Sequence, residues 1–202
     1  MLVTEVKKIT DRRNRICLED GTSFVLYAAE TRKLRIREQE DLPEEALRRI
    51  MEEILKKRAC LRCMNLLMSR DRTVQQLRHR LMMDGYPEEI ITGALEYVAS
   101  YHYTDDSRFA QNYIRQMSGR KSRKQIEFEL LKKGVDRDTV RTAFLEEEDP
   151  NREEEAVLAL ARRRGYDPDI ADEKESARFY RYLMGKGFGY EVIRRALAQD
   201  LD

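Results

Sequence analysis

A capped helix ending at a glycine occurs three times along this chain at nearly constant spacing, and that repetition limits what the chain can fold into. Thr73, Gln76, Leu77, Leu81, Gly85, Ile91 and Ala94 are matched 49 positions later by Ser122, Gln125, Ile126, Leu130, Gly134, Val140 and Ala143. A looser copy follows 53 positions further on, where Phe179, Leu183, Gly187, Phe188, Ile193 and Ala196 stand in the places of Ile126, Leu130, Gly134, Val135, Val140 and Ala143. Thr73 with Gln76, and Ser122 with Gln125, have the form of a capping box, in which side chains satisfy the first unpaired backbone donors of a helix. The third cap is Asp172, one turn earlier, so its helix is predicted to be a turn longer. The glycines suit the left-handed residue that ends a helix. One such unit cannot bury its own apolar face and must pack on a neighbour. The predicted fold is mainly α: three tandem three-helix repeats in an elongated, curved array.

The middle repeat carries the most distinctive chemistry. Thr104 or Asp105 can cap its first helix, and Asp105 and Asp106 suit that helix's positive end. Phe109, Ala110, Tyr113, Ile114 and Met117 recur at helical spacing and form one buried stripe, which Ser118 and Gly119 end. On the outward side stand Arg108, Arg115, Arg120, Lys121, Arg123, Lys124, Lys132 and Lys133, against only Glu127 and Glu129. The whole chain carries a net charge of +1, so this excess is local. These eight are the candidate partner-binding residues, facing an acidic protein surface or a phosphate backbone. The plainer reading is a solvated helix face.

The first forty residues follow a different pattern. Val3 to Lys8 alternate weakly, and two apolar runs, 15–19 and 22–27, flank Asp20-Gly21, a strong hairpin signal. A small antiparallel sheet of two or three strands is expected over 1–40, followed by a short helix over 28–36. Such a sheet needs a helix to pack on. Its role is read as docking or orientation. Asp41-Leu-Pro-Glu-Glu then starts a helix, and apolar periodicity continues to Met68 as one long helix or two. The remaining boundaries follow: a first helical repeat with its lead-in over 41–103, a second over 104–149 and a third over 150–202. Acidic residues 146–149 and 153–155 flank Pro150. Few apolar residues are available to lock this stretch, so a hinge is expected there. A metal site is disfavoured, because consecutive carboxylates on a helix point apart.

Catalytic chemistry finds little support. His79 and His102 are the only histidines, and neither pairs with a serine or cysteine at a recognised spacing. Cys60 and Cys63 form a C-x-x-C on a predicted helix without a second pair, and read as half-buried thiols. Asp105 and Asp106 are adjacent and do not converge on one atom, so capping is the better reading. Gly119-Arg-Lys-Ser122 lacks the earlier glycine and strand of a phosphate-binding loop. Tyr97, Tyr101, Tyr103, Phe109, Tyr113 and Phe128 could stack on bases, but at helical spacing most are expected in the core. No cofactor or metal is expected. Charged residues make up 38% of the chain and no run approaches the roughly 20 apolar residues that span a bilayer, so no membrane association is expected. An odd number of cysteines, Cys17, Cys60 and Cys63, and no secretory leader point to a reducing, cytoplasmic setting. A monomer is expected.

Tyr103-Thr-Asp-Asp-Ser-Arg-Phe-Ala, then Tyr113-Ile-Arg, then Gln125-Ile-Glu-Phe-Glu-Leu-Leu-Lys-Lys-Gly-Val135 resemble the signature of the RecX family of bacterial RecA regulators. The resemblance covers about 58–200, is most specific in the middle repeat, and marks Asp105, Asp106, Phe109, Ala110 and Gly134 as mainly structural motif residues. It implies a chain of three-helix repeats. It also implies a non-enzymatic protein that binds the RecA nucleoprotein filament on single-stranded DNA and inhibits or tunes filament growth, strand exchange and coupled ATP hydrolysis. The competing reading is a helical DNA- or RNA-binding module that contacts single- or double-stranded nucleic acid directly.

Overall fold

In a computed structural model of the chain, which describes residues 1–147, 149 and 151–198, three strands precede a succession of helices. Strands β1 (Val3–Thr10), β2 (Arg13–Leu18) and β3 (Ser23–Tyr27) form an antiparallel sheet in that order. Leu18 and Ser23 flank the turn that the Asp20-Gly21 signal predicts, with Gly21 at positive φ. Helix α1 (Ala28–Lys33) follows, a little shorter than expected. The lead-in helix is neither one regular helix nor two separated ones. It runs as α2 (Glu44–Arg49), a π-helical segment (Ile50–Lys56) and α3 (Lys57–Ser69) without leaving helical backbone. The wider π turns rotate the apolar face, which is why periodicity alone left the break unseen.

The chain divides into two compact units, Met1–Asp105 and Asp106–Asp202. In the first, α4 (Val74–Asp84) and α5 (Glu88–Ser100) complete a three-helix repeat with α3. Thr73 and Gln76 make the full reciprocal capping box, with Gln76 N donating to Thr73 Oγ1 at 3.1 Å. The inner face of the sheet, Ile16, Leu18, Phe24 and Leu26, belongs to the same core as Ile50, Leu55, Leu77, Leu81, Ile91 and Ala94. Each such large apolar side chain contributes roughly 1.5–3 kcal/mol by leaving water. Gly85 sits where β3 meets α4. Its φ is +89°, and a Cβ there would lie 2.4 Å from Val25 Cγ2, so both backbone and space demand glycine.

In the second unit, α6 (Asp106–Met117), α7 (Arg123–Lys132) and α8 (Arg137–Glu146) form one repeat. Helices α9 (Arg152–Arg164), α10 (Glu173–Gly185) and α11 (Tyr190–Ala198) form the next. Helix α10 has 13 residues against 10 in α7, and Asp172 Oδ1 accepts from Glu175 N, as the earlier cap predicts. Of the two candidate caps of α6, Thr104 Oγ1 makes no hydrogen bond, and the helix starts at Asp106, which leaves Asp105 in the cap position. One capping expectation needs correction. Ser122 Oγ accepts from Gln125 N at 3.2 Å, but the reciprocal half of the box is not made.

Each of these two repeats has its own core. Ala110, Ile114, Ile126, Leu130, Val140 and Phe144 pack together in one, and Ala156, Val157, Phe179, Leu183, Ile193 and Leu197 in the other. What joins them is largely polar. Ser122 Oγ donates to the Lys186 carbonyl at 2.8 Å, and Glu153 Oε1 accepts from the Arg123 backbone N–H at 2.7 Å. Asp149 accepts from Arg152 at 3.2 Å, and within the second repeat Glu147 binds Arg115 with both oxygens, at 2.7 and 2.5 Å. The acidic stretch expected to act as an unlocked hinge is therefore tied by ion pairs among its described residues; Glu148 and Pro150 lie outside them.

Candidate partner-binding groove

The eight basic residues of the second repeat do not form one face. Arg115 is committed to Glu147, whose carboxyl the Arg115 hydrogen bond holds below its usual value. Arg123 lays its guanidinium over the Phe144 ring at 4.6 Å, and Lys133 Nζ sits 5.2 Å from the Tyr113 ring centre. Lys121 Nζ donates to both oxygens of Glu129, at 2.8 and 2.6 Å, while Tyr113 Oη donates to the same carboxylate at 2.5 Å. Burial pushes the Glu129 carboxyl up, but the bonds from Lys121 and Tyr113 outweigh it and hold it below the ordinary range. The Tyr113 hydroxyl is pushed up to about 12, by burial first and by Glu129 second, so it is a fixed donor at neutral pH. Arg108 is exposed on α6. Arg120, Lys124 and Lys132 are exposed, and among the described residues no carboxylate forms an ion pair with them.

The remaining cations separate by direction. Lys124, Phe128 and Lys132 recur every fourth residue on α7 and share one exposed stripe, with Phe128 66% exposed. Arg120 and Lys121 instead point into a groove of about 510 Å³ whose other walls come from the third repeat. Leu160, Arg163 and Arg164 of α9, Tyr182 of α10, and Lys186 and Phe188 beyond it complete the lining with Gln125. Arg164 stacks on the Tyr182 ring at 3.7 Å, and Lys186 Nζ lies 5.7 Å from it. Five cations thus line the groove with no carboxylate among the lining residues, and among the described residues only Lys121 is neutralised by a neighbour.

Local structure fixes this geometry. The bond from Ser122 to the Lys186 carbonyl brings the start of α7 against the end of α10. Gly187 permits the approach, since at φ +90° a Cβ would lie 2.9 Å from Ser122 Oγ and 3.3 Å from Lys124 Cβ. The positive end of α7 is already occupied by Glu153, so the attraction of the groove for anions comes from side-chain charge.

Sequence reasoning found Arg120 and Lys121 but not Arg163, Arg164 or Lys186. Charges in the last turn of a helix are ordinary partners of its dipole, which hides Arg163 and Arg164. Lys186 was within reach, because it precedes Gly187 as Lys133 precedes Gly134. The aromatic residues also depart from expectation. Phe109 and Tyr113 are half-buried, but Tyr97, Tyr101, Tyr103 and Phe128 are exposed rather than core. Tyr97, Tyr101 and Tyr103 form a ladder of rings with centres 5.0 and 5.8 Å apart. Cys63 is buried and its thiol is pushed up to about 11 by that burial, while Cys60 is partly exposed.

Comparison with known proteins agrees with the repeat structure. Residues 59–97, 105–143 and 152–197 match the first, second and third three-helix domains of RecX. The chain is 33% identical over 136 residues to "Regulatory protein RecX" of Vibrio vulnificus, covering 67% of this chain and 88% of that protein. It is 25% identical over 204 residues to the protein of that name from Clostridium botulinum, covering 98% of this chain and 94% of the relative. The fold matches a crystal structure of regulatory protein RecX with a TM-score of 0.62 at 21% identity, covering 96% of this chain and 98% of the other. On the three matched domains and the 33% identity, the chain belongs to the RecX family of regulatory proteins.

Proposed function

We propose that this protein regulates the RecA recombinase by binding its filament on single-stranded DNA, impeding filament growth, strand exchange and the coupled ATP hydrolysis, without catalysis of its own. The observation that carries the reading is the groove between the second and third repeats, where Arg120, Arg163, Arg164 and Lys186 converge without a carboxylate in the lining. A cationic groove raises the local concentration of an anionic partner and governs association more than packing. Family membership directs that partner toward RecA. Arg108, Lys124 and Lys132, with Phe128, supply further contacts on the second repeat. Arg115, Arg123 and Lys133 serve instead to hold that repeat together, through Glu147, Phe144 and Tyr113. Separate patches on one chain add through effective concentration when the target is a polymer.

The test compares capture of the protein on bare single strands with capture on RecA-coated strands, alongside inhibition of RecA ATP hydrolysis. Preference for the coated strand with inhibition is expected. Equal or tighter binding to bare strands with no effect on RecA would replace this reading with direct nucleic-acid binding. The exposed tyrosines at 97, 101 and 103, of which 101 and 103 are stacked, are the specific observation favouring that alternative, since exposed aromatic rings are platforms for unpaired bases.

A further inference from the structure

A second cationic site lies in the first unit, where the sheet meets the first repeat. A cavity of about 390 Å³ is lined by Arg13 and Tyr27 of the sheet, Arg58, Leu61, Arg62 and Asn65 of α3, and Arg80, Asp84 and Tyr86 at the end of α4. Residues 58, 61, 62 and 65 fall on one face of α3, so a single helix presents two guanidiniums, an amide and an apolar side chain to the same space. Three of the four arginines meet at Asp84, and the fourth lies across the Tyr27 ring. Arg62 Nε donates to Asp84 Oδ2 at 2.8 Å, Arg80 reaches Oδ1 at 3.5 Å, and Arg13 donates to the Asp84 carbonyl at 2.8 Å. Arg58 pairs with Glu30 and lies 4.4 Å from the centre of the Tyr27 ring.

Charge and shape together select the ligand. Arg62 and Arg80 share Asp84, and Arg58 pairs with Glu30, so four arginines against two carboxylates leave a net charge of +2 around a partly enclosed site. A phosphate monoester carries about −1.5 to −2 at neutral pH. Guanidiniums suit its oxygens because they donate in pairs. The cavity is larger than one phosphate requires and lies within the range of small-ligand sites. Its remaining walls supply a half-exposed tyrosine ring, an exposed leucine at 56% and the Asn65 amide, which fit a sugar and a base. An acidic peptide would call for cations spread along a channel, whereas Arg13, Arg62 and Arg80 gather about Asp84.

We propose that this pocket binds a nucleotide through its phosphate, held by Arg58, Arg62 and Arg80, with the nucleoside against Tyr27 and Leu61. Two sources offer this chemistry, a free mononucleotide and the 5′-phosphorylated end of a strand. The site is independent of the groove and requires no recombinase.

The test is equilibrium binding to the full-length chain without RecA, using a deoxynucleoside monophosphate, the matching nucleoside, and a short single strand with either a 5′-phosphate or a 5′-hydroxyl. The phosphorylated member of each pair should bind at least tenfold tighter. A monophosphate tighter than the strand assigns the free nucleotide as ligand, and the reverse assigns the strand end. The double variant Arg58→Gln with Arg80→Gln should lose at least tenfold. Leu61→Glu, at an exposed lip position that cannot disturb the core, should lose a similar amount through repulsion. A control at the groove, Arg120→Gln with Arg163→Gln, should leave this binding unchanged. Equal binding of nucleoside and nucleotide, no binding of any phosphorylated probe at millimolar concentration, or Leu61→Glu binding as well as the parent would overturn the proposal. RecA inhibition is a separate readout, so none of these results bears on the regulatory reading.

Discussion

Reversing Arg120 and Arg163 to glutamate tests the groove directly. Both side chains are exposed and line it, and among the described residues neither forms an ion pair. Among the described residues a carboxylate neutralises only Lys121 of the five lining cations, so four positive charges remain, and reversing two of them brings the balance to zero. Exposed ion pairs contribute roughly 0.2–1 kcal/mol each, and reversal replaces attraction by repulsion of similar size. Two positions therefore cost binding about 1–4 kcal/mol, or roughly fivefold to several hundredfold. The fold should lose little. Arg120 lies in a turn, and Arg163 in the last turn of α9 contributes at most about 0.3–1 kcal/mol through the helix dipole. Lys121 is left intact because a glutamate there would face Glu129 and disturb the Tyr113 network. The assay is anisotropy of a labelled strand coated with RecA, repeated across salt concentrations, with far-UV circular dichroism as the folding control. If the groove meets phosphate, each lost contact should also flatten the dependence of log affinity on log salt by about 0.7 for a single strand. A folded double variant that binds and inhibits like the parent would show the groove to be ordinary solvated surface.

Three further outcomes follow from the packing. Gly187→Ala forces a left-handed alanine and a Cβ 2.9 Å from Ser122 Oγ, so thermal melting should show a loss of about 2 kcal/mol or more, whereas Gly165→Ala, also at positive φ but in open space, should lose only the conformational part. Gly85→Ala should destabilise the first unit more severely, since Val25 lies at 2.4 Å and is buried, and loss of hydrogen-exchange protection should appear in β3 and α4. The Glu147 carboxyl is held low by Arg115, so its pairing stabilises the protein above the ordinary carboxylate pKa and is lost as pH falls through the lowered folded value. Denaturant titration of Glu147→Gln should therefore show weaker stability than the parent at neutral pH and a smaller further loss on acidification. If the variant's pH profile matches the parent's, the Glu147 pair is not a source of acid lability.

What the sequence by itself determined are the features whose physics is local. Thr73, Ser122 and Asp172 cap the helices they precede because a side-chain oxygen reaches a backbone N–H three residues away whatever the rest of the chain does. Gly85, Gly134 and Gly187 end helices because left-handed backbone excludes a Cβ. Hydrophobic spacing similarly marked Ile126, Leu130, Leu77 and Leu81 as buried. Charge in the second repeat was legible as composition but not as a site. Arg115 and Glu147 are 32 residues apart, and nothing in their spacing reveals that one neutralises the other. Only the tertiary structure joined Arg120 to Arg163, Arg164 and Lys186, through the bond from Ser122 to a carbonyl 64 residues away. The tyrosines at 97, 101 and 103 follow the same rule. Periodicity says which residues share a helix face, but whether that face meets another helix or water depends on where distant segments end up.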